Sequence, residues 1–134
     1  MFGFFKTNTD ENNGTSFKKR DIYIRQEESL KIRKKYPDKI PVIIEMDKSF
    51  YSRFNIKKYK FLIPDDLIYL QFIHYLKNYT NIDKNEALFL FLSNGILPPS
   101  SLILRDIYNR YKNEDGFLYM TITLENTFGI NIDL

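Results

Sequence analysis

The chain has 134 residues, 43% hydrophobic and 28% charged, a composition that fits one soluble globular domain with a real core and not a disordered protein. Cys is absent, which rules out disulfides, thiolate zinc sites and Cys nucleophiles. A net charge of +3 is too mild to imply nucleic acid. No run approaches the roughly 20 apolar residues of a membrane span, and the apolar patch at residues 1–6 is too short for a signal peptide, so a cytoplasmic protein is expected.

Residues 7–16 are polar and aperiodic, with Gly14 and several Asn, and residues 1–16 together read as a flexible leader. From Phe17 the pattern changes. Ile22, Tyr23, Leu30 and Ile32 recur at helical spacing, and Pro37 stops the helix at Tyr36. The segment is basic, with Lys18, Lys19, Arg20, Arg25, Lys31, Arg33, Lys34 and Lys35 against Asp21, Glu27 and Glu28. Such an arm is either a solvated face or a surface for acidic segments and anionic headgroups. Residues 40–46 read as a nearly continuous apolar strand, and residues 47–58 as a polar, basic connection.

Residues 60–64, Lys-Phe-Leu-Ile-Pro, are the stretch around which the chain is organised. Strand geometry sends Lys60 and Leu62 to one face and Phe61 and Ile63 to the other. The closing Pro64 suits an edge strand, because Pro has no N–H for a ladder. An exposed edge can accept an incoming peptide as an extra strand, with alternate side chains dropping into pockets on either side. The plain alternative is a strand buried in the sheet with no guest.

Asp65-Asp66 is expected to open the next helix, where acids suit the positive end, and Leu67, Leu70, Phe72, Ile73 and Leu76 give that helix an apolar face. Residues 87–92 are unbroken and apolar, as in a central strand covered on both faces. Asn94-Gly95 marks a turn and Pro98-Pro99 a rigid stretch. Ser101 is placed to cap a helix carrying Leu102, Leu104, Ile107, Tyr108 and Tyr111. Asp115-Gly116 then turns the chain into a β-branched and aromatic strand at 117–124. Strands one and two are too close in sequence to hold a helix between them and should form a hairpin. The order predicts an α+β domain, a mixed sheet with helices packed on one face.

Candidates for catalysis fail on residue type. His74 is the single His and lies in an apolar helix, so it cannot build a His-based metal cluster. Asp65-Asp66 and Glu114-Asp115 are better explained as helix-start and turn acids than as acid/base dyads. There is no phosphate-cradling Gly-rich loop. Neither an enzyme activity nor a cofactor is expected.

Longer blocks go beyond class. KIRKKYPDKIPVIIE at 31–45, KFLIPDDL at 60–67, EALFLFLSNGILPPSS at 86–101 and EDGFLYM at 114–120, with Phe128-Gly129 near the end, resemble the autophagy ubiquitin-like modifier family, which includes GABARAP and the microtubule-associated protein light chains. The resemblance runs from about Phe17 to Leu134 and leaves only the leader outside.

It implies a ubiquitin-like β-grasp fold, with a mixed four-stranded sheet, packed helices and an added N-terminal helical extension. Residues 17–128 would form the domain, and 129–134 the conjugated glycine and a processed tail. It also implies a non-enzymatic scaffold that binds aromatic-x-x-aliphatic peptides of cargo receptors and adaptors along the strand at 60–64. By the same resemblance, the aromatic would enter a first pocket of Glu28, Ile32, Pro41, Lys60, Leu62 and Phe117. The aliphatic would enter a second pocket of Phe61, Ile63, Pro64, Leu67, Phe72 and Tyr75. Lys39 and Lys60 would meet acidic flanks. Tyr75 departs from the aliphatic residue of relatives, which makes a shallower second pocket.

At the tail, the family pattern is cleavage by a cysteine protease after the glycine matched by Gly129, next to Phe128. Activating and conjugating enzymes then transfer the glycine to phosphatidylethanolamine on the autophagosome membrane. Residues 130–134 make this chain resemble an unprocessed precursor. Two other classes stay open. One is a ubiquitin-like adaptor that is never lipidated. The other is a basic module for cytoskeleton or nucleic acid, with nucleic acid disfavoured by the mild charge.

Overall fold

Alternation along four strands sorts the large apolar side chains into two layers, one on each face of a single sheet. The computed structural model describes residues 3–4 (as backbone), 17–46, 59–80, 82–83 and 85–124. The rest of the expected leader, the connection at 47–58, Phe128, Gly129 and the tail at 130–134 lie outside the described residues.

In chain order the elements are β1 (Gly3–Phe4), α1 (Ile22–Lys35), β2 (Lys39–Glu45), β3 (Lys60–Pro64), α2 (Tyr69–Tyr79), β4 (Leu88–Leu92), α3 (Leu104–Tyr111) and β5 (Leu118–Leu124). The sheet order is β1-β3-β2-β5-β4. β2 and β3 form the expected antiparallel pair, β2 and β5 run parallel at the centre, and β4 closes antiparallel on β5. Four strands make the mixed sheet expected, and β1 adds a two-residue fifth.

One layer joins Ile40, Val42 and Ile44 of β2, Phe61 and Ile63 of β3, alternate residues of β4 and β5, and the inner faces of α2 and α3. The opposite layer is smaller and gathers Phe17, Ile43, Tyr59, Phe117 and Tyr119, with Ile32 of α1 packed against it. Helices therefore cover both faces. The expectation of one face holds for α2 and α3 and fails for α1.

Three further expectations change. The apolar run at residues 87–92 forms an edge strand: among the described residues β4 pairs only with β5, and Phe89 and Phe91 stay half-exposed. An unbroken apolar run cannot by itself distinguish centre from edge. α1 buries Arg25 and Ser29 while Tyr23, Ile24 and Leu30 are exposed, the reverse of what apolar spacing suggests, because its inner partner is polar. Finally, Asp65-Asp66 and Ser101 do not begin helices. α2 has Ile68 and α3 has Ile103 as the flanking residue at its N-terminus. Tyr69 N–H donates to the Leu102 carbonyl at 2.8 Å and Leu104 N–H to the Leu67 carbonyl at 2.8 Å. The two helix starts thus satisfy each other through a bridge between Ile68 and Ile103, and donors that would otherwise need side-chain caps are already bonded.

Candidate functional site: the outer margin of the sheet at β3

Backbone direction along β3 follows from two hydrogen bonds that flank it. Ile44 N–H donates to the Tyr59 carbonyl at 2.8 Å, and Asp65 N–H donates to the Asp38 carbonyl at 3.1 Å. Antiparallel pairs alternate between bonded and non-bonded positions, and both bonds fall in the register that pairs Val42 with Phe61 and Ile40 with Ile63. Phe61 and Ile63 therefore turn their N–H and C=O toward β2. Lys60 and Leu62 turn theirs to the outer margin, and so does Pro64, whose missing N–H leaves the β2 ladder intact.

That margin is not bare. β1 lies antiparallel along it, with Gly3 opposite Leu62 and Phe4 opposite Phe61. The open edge expected from the sequence is thus flanked on both sides, by β2 and by two residues of the chain's own N-terminal segment. Backbone polar groups at a sheet edge gain by pairing wherever a strand can reach them, and the expected leader contains one that does.

On the α1 side, Lys60 Nζ lies 2.6 Å from Glu28 Oε2, with the two side chains 4% and 29% exposed. Burial pulls the Lys60 ammonium below the ordinary lysine value, and the Glu28 carboxylate opposes that shift. The same ammonium stands 4.4 Å from the centre of the Phe17 ring. Phe17 meets Phe117 edge-on at 5.2 Å and Tyr59 at 6.0 Å, and it is 1% exposed. Four of the six residues expected for the first pocket, Glu28, Ile32, Lys60 and Phe117, thus converge on one small cluster, and an aromatic ring of the chain itself sits within it. Pro41 and Leu62 face each other across β2 and β3, and both are buried.

On the other side, Phe61, Ile63 and Phe72 are wholly inside the main core, while Leu67 and Tyr75 pack partly buried against it and Pro64 is half-buried. Phe61 meets Phe72 at 6.3 Å and Tyr75 at 6.4 Å. Tyr79 joins them, 6.1 Å from Phe61 and stacked on Tyr75 at 6.0 Å. Sequence reasoning missed Tyr79, although its i,i+4 spacing from Tyr75 on one helix face was the available signal. Phe61, Ile63 and Phe72 make the floor of this side, and Tyr75 with Tyr79 its half-exposed wall. Lys39 sits opposite Pro64 in the register, with its ammonium 5.8 Å from the Tyr36 ring.

What fixes α1, and with it Glu28, is a buried polar cluster around Asp115, which the sequence marks only as a turn acid. Arg25 Nη1 donates to Asp115 Oδ2 at 2.5 Å, the Tyr119 hydroxyl donates to the same oxygen, and Phe117 N–H donates to Asp115 Oδ1 at 2.8 Å. The Ser29 hydroxyl bonds the Asp115 carbonyl. Burial, and then the Asp115 carboxylate, push the Tyr119 phenol up from its usual range. Gly116 is doubly required here: its φ is +90°, and a Cβ would fall 2.3 Å from Ser29 Oγ.

His74 is exposed on α2. No cluster of His, Asp or Glu among the described residues could hold a metal, and none of the described helices is long and apolar enough to cross a membrane.

A mixed sheet whose two central strands run parallel, with helices laid across it, defines a ubiquitin-like β-grasp domain. Residues 24–129 match the family described as autophagy protein Atg8 ubiquitin like, and the chain belongs to that family. It is 47% identical over 107 residues to autophagy-related protein 8d of Arabidopsis thaliana, covering 79% of this chain and 87% of that protein. It is 45% identical over 106 residues to autophagy-related protein 8 of Schizosaccharomyces pombe, covering 78% and 85%. Among solved structures, Trypanosoma brucei ATG8 superposes with a TM-score of 0.69 at 32% identity over 90% of this chain and 97% of that one. Plasmodium falciparum Atg8 in complex with a Plasmodium falciparum Atg3 peptide superposes with a TM-score of 0.65 at 34% identity, over 79% and 92%. The chain is a ubiquitin-like autophagy modifier.

Proposed function

We propose that this modifier works as a membrane-attached adaptor. Its C-terminus, trimmed after Gly129 by a cysteine protease, is joined by activating and conjugating enzymes to phosphatidylethanolamine on the autophagosome membrane. Its β3 margin then collects cargo receptors and adaptors through aromatic-x-x-aliphatic peptides. Catalysis resides in those enzymes and not in this chain. Gly129 suits the role because a residue without Cβ can thread a narrow slot and present its carboxylate.

The observation that carries the peptide half is the direction of β3: Lys60 and Leu62 aim backbone groups outward between two aromatic clusters on opposite faces. A guest strand can bond to the backbone, and its alternate side chains can reach either side. On this reading Glu28, Ile32, Pro41, Lys60, Leu62 and Phe117 receive the aromatic. Phe61, Ile63, Pro64, Leu67, Phe72 and Tyr75, with Tyr79, receive the aliphatic residue. Lys39 attracts acidic flanks, a contribution that salt weakens, and Lys60 does so only where a guest's acid takes the place of Glu28 in its buried pair. The Plasmodium complex with an Atg3 peptide supports a conjugating enzyme as one partner.

The test combines lipidation and binding. The full chain and a Gly129→Ala variant are incubated with the processing protease, the family's enzymes, ATP and phosphatidylethanolamine vesicles, and a labelled aromatic-x-x-aliphatic peptide is titrated in parallel. The expected result is a lipid adduct for the native chain and none for Gly129→Ala, with equal peptide affinity. A normally lipidated variant overturns the attachment site, and absence of saturable peptide binding overturns the adaptor role.

A further inference from the structure

The groups a guest peptide needs on β3 are the groups that β1 already engages. Leu62 turns its N–H and C=O to the outer margin, and Gly3 is the residue paired with it. β1 is only two residues long, and a strand of that length is marginal on its own. It is, however, covalently tethered to the domain, which keeps its local concentration high whether or not it is paired. The surrounding sequence, Phe2-Gly3-Phe4-Phe5, sets two aromatic residues three apart. That is the spacing of an aromatic-x-x-aliphatic motif, with an aromatic where the aliphatic would stand.

We propose that the N-terminal segment centred on Gly3–Phe4 is a built-in competitor for the peptide-binding margin, pairing with Leu62 in the free protein and leaving when a partner strand arrives. This rests on the peptide-binding reading of β3. It makes that site self-regulating: only guests whose side chains gain more than the short internal strand displace it. The free chain presents a covered edge, which also blunts edge-to-edge association. The apparent affinity for any peptide is reduced by the fraction of molecules in which the margin is open.

The test uses the full chain with Gly3→Pro and Phe4→Pro together, which removes the donors and blocks strand pairing, and a Gly3→Ala control that leaves pairing possible. A labelled peptide with a Trp-x-x-Leu core is titrated by fluorescence anisotropy, and amide exchange at Leu62 and Phe61 is followed by NMR. The double Pro variant is expected to bind about three- to tenfold tighter than the native chain, while Gly3→Ala matches the native chain. In the double Pro variant the Leu62 amide, freed of Gly3, exchanges faster, whereas the Phe61 amide, bonded to β2, keeps its protection. Unchanged affinity or unchanged Leu62 exchange in that variant overturns the competitor. If no chain binds the peptide, the reading of β3 as a peptide site fails instead, and Leu62 exchange still decides whether the margin is covered.

Discussion

Asp115→Ala tests the buried polar cluster that holds α1 against the sheet. The carboxylate is wholly buried and accepts from Arg25, from the Tyr119 hydroxyl and from Phe117 N–H. Removing it strands the Arg25 guanidinium, whose side chain is 11% exposed, beside two other orphaned donors. Breaking a buried ion pair from one side costs about 3–5 kcal/mol. Arg25 keeps its bond from Nε to the Arg20 carbonyl at 3.0 Å, so the lower end applies, about 3 kcal/mol. In a domain of this size that lowers Tm by about 10–15 °C. Urea unfolding followed by circular dichroism measures it, as a shift in midpoint at unchanged slope. Arg25→Met combined with Asp115→Leu should recover most of the loss, because the cost lies in the unpaired charge and not in lost attraction. A loss under about 1 kcal/mol for Asp115→Ala, or a double variant no more stable than the single, would refute the assignment of this cluster as the anchor of α1.

Two further outcomes follow from the same geometry. Tyr79→Ala removes half of the exposed wall against Phe61 without opening the core, so peptide affinity should fall by about 1–2 kcal/mol while the unfolding midpoint moves little; equal affinity would remove Tyr79 from the second pocket. Burial raises the Tyr69 phenol to about 12, against about 10 in the unfolded chain. A group raised on folding contributes stability that is complete below the unfolded value and is lost as pH climbs through the folded one. Stability should therefore decline between about pH 10 and about pH 12. Tyr69→Phe should flatten that decline while losing the hydroxyl's bond to the Leu90 carbonyl at 2.5 Å. Parallel curves for the two chains in urea titrations across that range would contradict the assignment.

The two faces of β3 were legible because they rest on local rules. Period-two alternation separates Phe61 and Ile63 from Lys60 and Leu62 whatever surrounds them, and the structure sends the two sets to opposite layers. The Asn94-Gly95 and Asp115-Gly116 turns were visible for the same reason, and both glycines have positive φ. α1 misled because its partner is distant: Arg25 and Ser29 turn inward to meet Asp115, some ninety residues away, and apolar spacing carries no trace of a buried carboxylate. β4 misled because apolarity reports burial and not neighbours.

The amino-acid sequence alone therefore determined where the elements run, which faces of β3 are apolar and, through its long matched blocks, the kind of protein this is. Those are properties of residues a few positions apart or of whole blocks held in order. Only the tertiary structure decided that the β3 margin is met by Gly3–Phe4, that Phe17 lies beside Lys60 and Phe117, and that a buried Arg25–Asp115 pair sets α1 in place. Each depends on groups far apart in the chain competing for the same unpaired backbone atoms, apolar space or buried charge, and that competition is resolved only when the whole chain is folded.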